Sequence, residues 1–206
     1  MKILVIGATG MIGSRIAEEA LSRGHEVIAA SRNPDQPQKH KAAESIALDV
    51  NDTDQLTKYA SLADVTVCAV SPRTSGDAET EAVAYADALI AGLSRSRVIL
   101  VGGAGTLNLP DGTPVASIVP EQHAAEARGM RAAYEKISAS GLDFTTLAPA
   151  GLIEPGEKTG TFRTGERTLL ADADGNSRIS AEDYSIALLD EVEHPQHAGG
   201  IFTVAY

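Results

Sequence analysis

The sequence predicts an α/β fold, a doubly wound parallel sheet in three layers with a small C-terminal hairpin and helix extension. Two observations carry this expectation. Apolar runs of four to six residues alternate with longer stretches whose apolar residues recur at helical spacing. The short runs also lack a polar alternation, so both faces of each strand need cover, which helices on either side of a parallel sheet provide. At 206 residues the chain can fill one core and is short for two. No repeat, low-complexity linker or compositional break divides it, so residues 1–206 are expected to form a single domain.

The elements follow in order. Ile3–Ile6 is the first strand; Ile12, Ile16, Ala17, Ala20 and Leu21 mark a helix stopped by Gly24. Val27–Ala30 is the second strand and Ser45–Leu48 the third. A helix begins near Asp52, Val65–Val70 is the fourth strand, and Val83, Ala86, Leu89, Ile90 and Leu93 lie on a long helix. Val98–Val101 and Phe144–Leu147 are strands five and six, separated by a helix over residues 121–140. The loop before that helix, residues 107–120, is long and carries three prolines, as an ordered rim or lid would. Residues 160–175 break the rhythm and predict two short strands joined through Gly165, ending in a turn at Asp174-Gly175. Ser180-Ala-Glu-Asp183 is a capping box opening a helix through Glu193, and residues 201–206 form the last strand.

Composition narrows the partners. A formal charge of −11 disfavours a nucleic-acid backbone or an anionic membrane. No apolar run approaches the roughly 20 residues that span a bilayer. The N-terminal apolar run is expected to be a strand rather than a signal segment, and the protein to be cytoplasmic. The single cysteine, Cys68, sits in an apolar run and is expected to be a buried structural thiol.

Gly7-Ala-Thr-Gly10-Met-Ile-Gly13 directly follows the first strand and opens the first helix. Glycine there lets a backbone approach a pyrophosphate, and the helix start offers unpaired N–H groups and the positive end of its dipole. With strand, turn, helix and second strand in sequence, this is the context of a dinucleotide-binding Rossmann fold. An NAD site usually places an acid at the end of the second strand. Here Ser31 and Arg32 stand there, Glu26 is at the opposite end and Asp35 lies beyond a proline, so NADP(H) is preferred over NAD(H). Asp49-Val50, Ala69-Val70-Ser71-Pro72, Gly102-Gly103 and Ala148-Pro149-Ala150-Gly151, the last followed by Leu152, end four further strands on the same edge, where they would line a cleft.

Residues 7–34, the segment Val101-Gly-Gly-Ala-Gly-Thr-Leu107, and residues 147–165 and 172–195 resemble the atypical short-chain dehydrogenase/reductase-like NADH-flavin reductases, related to biliverdin reductase B-type enzymes and to NmrA-like regulators. The resemblance covers nearly the whole chain. It implies a reduced nicotinamide cofactor and hydride delivery to a flavin or similar planar acceptor. It carries cofactor roles onto Gly7, Thr9, Gly10, Met11, Ile12 and Arg32, and places Gly102, Gly103, Pro149 and Gly151 around the nicotinamide. Members of the group often carry Tyr-Lys after the proline-glutamate; this chain has Gln122-His123.

Tyr134 is followed by Lys136 only two positions on, so the two side chains face different sides of a helix and cannot form a Tyr-x-x-x-Lys acid/base pair. Ketone reduction needs such a proton donor; hydride transfer into a conjugated flavin or quinone does not. Two residues remain as catalytic candidates. Thr106 follows the fifth strand, where it could orient substrate or equally satisfy its own turn. His123 could donate a proton near neutral pH, although an exposed helix-start histidine is the commoner case. Tyr134 is expected to pack. Arg163 and Arg167 could meet a flavin phosphate, but solvated charges opposite Glu157 and Glu166 are the stronger expectation. The aspartates at 172 and 174 fail calcium-loop spacing, and neither a metal site nor a Gly-x-Ser-x-Gly elbow is found. The expected protein is therefore an NADPH-dependent reductase of a small planar acceptor, with flavin as substrate rather than prosthetic group, acting as monomer or homodimer. An NADP(H)-binding redox sensor without turnover is the alternative, and reduction or isomerisation of a small carbonyl compound a weaker third.

Overall fold

The computed structural model describes residues 1–34, 42, 44–71 and 76–206. Asp35 and Pro72 fall outside the described residues. Among the described residues, ten strands and five α-helices follow in chain order: β1 Lys2–Ile6, α1 Met11–Ser22, β2 Glu26–Ser31, β3 Glu44–Ala47, α2 Thr53–Ala60, β4 Val65–Cys68, α3 Ala78–Gly92, β5 Arg97–Val101, α4 Glu121–Ser138, β6 Phe144–Pro149, β7 Leu152–Glu154, β8 Arg163–Gly165, β9 Arg178–Ser180, α5 Ala181–Glu193 and β10 Gly200–Ala205.

The main sheet runs β3-β2-β1-β4-β5-β6-β10-β8, parallel throughout except for the edge strand β8. Strand pleat divides the core between two faces. Ile3, Val5, Val27, Ala29, Val65, Val67 and Ile99 pack on one side, with Ile16, Ala17 and Ala20 of α1 and Tyr184, Leu188 and Val192 of α5. Leu4, Ile6, Ile28, Ala30, Cys68, Val98 and Leu100 pack on the other, with Leu56 of α2, Leu89 of α3 and Ala133 and Ile137 of α4. This is the expected three-layer α/β arrangement.

Local signals act as expected at the helix ends. Gly24, at φ +82°, closes α1 with hydrogen bonds from its own N–H to the Leu21 carbonyl and from the His25 N–H to the Ala20 carbonyl. The Asp52 carboxylate accepts from the Gln55 N–H and caps α2. Ser180 Oγ likewise accepts from the Asp183 N–H at 3.0 Å. The reciprocal half of that capping box does not form. Asp183, fully buried, instead accepts from the Thr159 and Gly160 N–H groups, the Thr159 hydroxyl and the Tyr206 hydroxyl.

The expected hairpin over residues 160–175 is corrected. β8 pairs antiparallel with β10, through Thr203–Gly165 and Ala205–Arg163, instead of folding onto a neighbouring strand. A separate parallel pair joins β7 to β9. Asp174-Gly175 is a turn as expected, held by the Asp172 carboxylate, which accepts from the Asp174 and Asn176 N–H groups. The loop over residues 107–120 is ordered: Leu107 and Val115 are buried, and Asn108 bridges to Thr168. It packs against the stretch that includes Leu169, so it is not a lid over the strand ends described below.

Candidate active site

The chain leaves β1 for β2 and β3 on one side, then returns to β4 on the other side of β1. This reversal is where α/β sheets open a crevice at their carboxyl ends. The turn after β1 sits there. Gly7 adopts φ +87°, and a Cβ on it would lie 2.4 Å from the Ala69 carbonyl oxygen. A Cβ on Gly13 would lie 2.2 Å from the Gly7 carbonyl oxygen. The glycines therefore bring helix, turn and β4 loop closer than side chains permit. α1 begins at Met11 with Gly10 as its N-cap, no side-chain cap, and no acidic residue in its first turn. That is a cradle for an anion.

Two adjoining cavities run from this turn and share Gly10, Ala69, Val70 and Ser71. The outer one, of about 420 Å³, is lined by Gly7, Thr9, Ser31, Arg32, Asp49, Val50 and Tyr85 among others. The inner one, of about 470 Å³, is lined by Met11, Ile12, Gly102, Gly103, Pro149, Ala150 and Gly151. One cleft thus gathers nearly every residue expected to hold a cofactor. Ser31 Oγ is buried there without a hydrogen-bond partner. Arg32 is exposed at the mouth, paired with no carboxylate among the described residues. Asp49 Oδ1 accepts from the Asn51 backbone and side chain, which sets its carboxylate at the outer wall. A glycine cradle at a helix start, with an orphaned hydroxyl and a guanidinium lining the same cavity, fits a dinucleotide.

Three expectations are corrected. Leu152 does not line the cleft; it is 50% exposed, and the strand's alternation turns Ile153 inward in its place. Thr106 lies behind the wall, 1% exposed, with its hydroxyl donating to the Gly103 carbonyl at 2.7 Å. Its bonding is that of a turn residue, and it presents nothing to a reactant. His123 is exposed on the first turn of α4, its Nε2 3.2 Å from Gln122 Nε2, and lines neither cavity.

α4 instead contributes Glu126 and Met130, one turn apart, to the inner cavity. Ser71 Oγ donates to Glu126 Oε1 at 3.1 Å across the junction of the two cavities. Neither residue belongs to a recognisable motif. The available signal was their i, i+4 spacing on a helix following the Gly102-Gly103 strand end, with Gly105 admitting Ala127 of α4 to close contact.

The remaining side chains are engaged elsewhere. Tyr134 packs edge-on to Phe144 at 6.3 Å, as expected, and Lys136 pairs with Asp87 at 2.6 Å. Arg167 lies 4.8 Å over the Tyr134 ring and donates to the Thr106 carbonyl; Arg163 donates to the Ala171 and Tyr206 carbonyls. Neither arginine faces Glu157 or Glu166 as expected, and neither lines the cleft. Cys68 is fully buried, and burial pushes its thiol up to about 12. It is structural, as expected.

A family of NAD(P)H-binding proteins matches residues 7–195, almost the whole chain. The chain belongs to this NAD(P)H-binding family. The family member described here is similar to three solved structures. It is 42% identical to a candidate exported protein from Burkholderia pseudomallei, with both chains fully covered and a TM-score of 0.88. It is 32% identical to a candidate epimerase from Bacteroides thetaiotaomicron, covering 100% of this chain and 96% of that one at a TM-score of 0.91. It is 29% identical to a candidate NADH-flavin reductase from Streptococcus pneumoniae, covering 100% and 99% at a TM-score of 0.88. Of these relations, the family match makes it an NAD(P)H-binding protein. Among the described residues no helix is long and apolar enough to cross a membrane.

Proposed function

We propose that this NAD(P)H-binding protein is an NADPH-dependent reductase that delivers hydride to a flavin or quinone-like acceptor, without an acid/base tyrosine–lysine pair. The observation that carries this reading is the make-up of the inner cavity. Among the described residues its side chains are apolar except for Ser71 and Glu126, while Tyr134 and Lys136 are held at Phe144 and Asp87. A wall of Ile12, Met130, Pro149 and Ile153 suits two stacked planar rings and excludes water from between them.

The nicotinamide, when bound, supplies the hydride. The chain's own residues hold the pieces. The turn at Gly7–Gly10 and the start of α1 receive the pyrophosphate. Ser31 and Arg32 receive the 2′-phosphate, Asp49 and Val50 border the adenosine, and Gly102, Gly103, Pro149, Ala150 and Gly151 set the nicotinamide against the inner wall. A conjugated acceptor spreads the charge it receives, and its proton comes from solvent. We place this activity in the cytoplasm, in a single domain acting as monomer or homodimer on a small molecule, with neither nucleic acid nor membrane as partner.

NADPH oxidation measured with riboflavin, FMN, FAD and a simple quinone, with NADH in parallel, tests the reading. Turnover with at least one planar acceptor and a preference for NADPH is expected. Tight NADPH binding with no turnover would overturn it and leave a redox sensor.

A further inference from the structure

Behind the inner cavity, between α4 and the sheet, lies a much smaller one of about 20 Å³, with room for about one water or methyl-sized group. Val101, Gly102 and Met130 line both cavities. Of these three, Met130 alone carries a long, unbranched and freely turning side chain. Its stem lies over the glycine end of β5, where a Cβ on Gly103 would stand 3.7 Å from Met130 Cβ and Cγ. The small cavity is buried: Leu100, Ala133 and Ile137, which help to wall it, are none of them more than 5% exposed. Thr146 lines it too, at 2% exposure, and its Oγ1 has no hydrogen-bond partner among the described residues. A buried hydroxyl left so costs stability, and a thioether sulfur is an acceptor, if a weak one.

Resting on the reductase reading, we infer that Met130 is the movable wall of the acceptor site and determines the size of acceptor it takes. Its terminal methyl turns out of the inner cavity into the buried one, and its sulfur then accepts from Thr146 Oγ1. The space released admits a tricyclic acceptor such as a flavin, whereas a single-ring quinone fits without the movement. Thr146 is a positioning residue that acts through Met130.

The test compares riboflavin with benzoquinone, each with NADPH, in wild type, Met130→Leu, Thr146→Val and the double variant. Leucine keeps the bulk of methionine and removes its sulfur; valine keeps the shape of threonine and removes its hydroxyl. Each single variant is expected to lower the riboflavin-to-benzoquinone ratio of kcat/KM by about fivefold or more, mainly through KM for riboflavin. The double variant should fall no further than Met130→Leu, because both changes remove one contact. An unchanged ratio in either single variant would overturn the inference, as would additive losses in the double variant. If no acceptor is turned over, the reductase reading fails separately. Nuclear magnetic resonance of isotopically labelled methionine methyl groups, of which the chain has three, then decides in the NADP⁺ complex. Riboflavin should move the Met130 signal, identified by its loss in Met130→Leu, and should move it differently in Thr146→Val. A signal that stays in place, or that moves alike in wild type and Thr146→Val, would sink the role of Met130.

Discussion

At the scale of single residues, cofactor choice rests on Arg32 and on what is missing beside it. A guanidinium at the mouth of the outer cavity can hold a doubly charged phosphate through forked bonds, and Ser31 Oγ has no other partner. Arg32→Ala is expected to lower NADPH affinity by roughly tenfold or more while leaving NADH binding nearly unchanged, since a hydrogen bond to a charged group contributes about 1.5–3 kcal/mol. Equal losses for both dinucleotides, measured by titration, would assign Arg32 to the shared part of the cofactor. His123→Ala should leave kcat/KM within about twofold, because the imidazole lies outside both cavities. Gly13→Ala should abolish dinucleotide binding, as its methyl would meet the Gly7 carbonyl oxygen at 2.2 Å and force the cradle apart. Residue-level legibility was uneven. The glycine cradle, Ser31, Arg32 and the strand ends are local signals and could be read directly. Thr106 and His123 could not be decided, because each sits at a plausible chain position and only the direction of its side chain separates a turn from a reactant. Glu126 was missed for the same reason: nothing in its neighbours says which helical face meets β5.

At the scale of elements, the C-terminal quarter is tied down by carboxylates. Burial alone would raise Asp183, but bonds from Thr159, Gly160 and Tyr206 outweigh it and hold the carboxyl below its ordinary range. Burial opposes and the same kind of bonding prevails at Glu19, through Lys158 and Arg23, and at Glu191, through His197 and the N–H groups of Gln196 and His197. Each group has a depressed folded pKa, so its stabilisation is complete above the unfolded value of about 4 and is lost as pH falls through the folded one. Thermal unfolding midpoints should therefore hold near neutrality and drop below about pH 4, with Asp183→Asn flattening the drop and lowering the plateau. A variant that kept the wild-type acid slope would remove Asp183 from the account. The capping box was legible in Ser180 and Asp183; the use of Asp183 as an anchor for residues 159–160 was not, since it depends on a loop more than twenty positions away. β8 was misjudged for a related reason. A three-residue edge strand has little pattern of its own, and its partner β10 lies almost forty positions downstream.

At the scale of the whole molecule, alternate strand residues feed two cores, and the reversal between β1 and β4 opens the cleft where those cores end. That architecture was legible because uninterrupted apolar strands and amphipathic helices have distinct periods. Leu89, fully buried between the sheet and α3's neighbours, illustrates the dependence: Leu89→Ala should cost about 2–5 kcal/mol of stability in denaturant unfolding. The central claim is that this cleft moves hydride without a tyrosine–lysine pair. Its most direct test is anaerobic oxidation of NADPH deuterated at the transferred position, with riboflavin as acceptor, in wild type and in Tyr134→Phe/Lys136→Ala. The account predicts turnover with a primary isotope effect in both enzymes and rates within about twofold of each other. Loss of turnover in a stably folded double variant would contradict it, and so would a wild type that binds NADPH and never reduces the flavin.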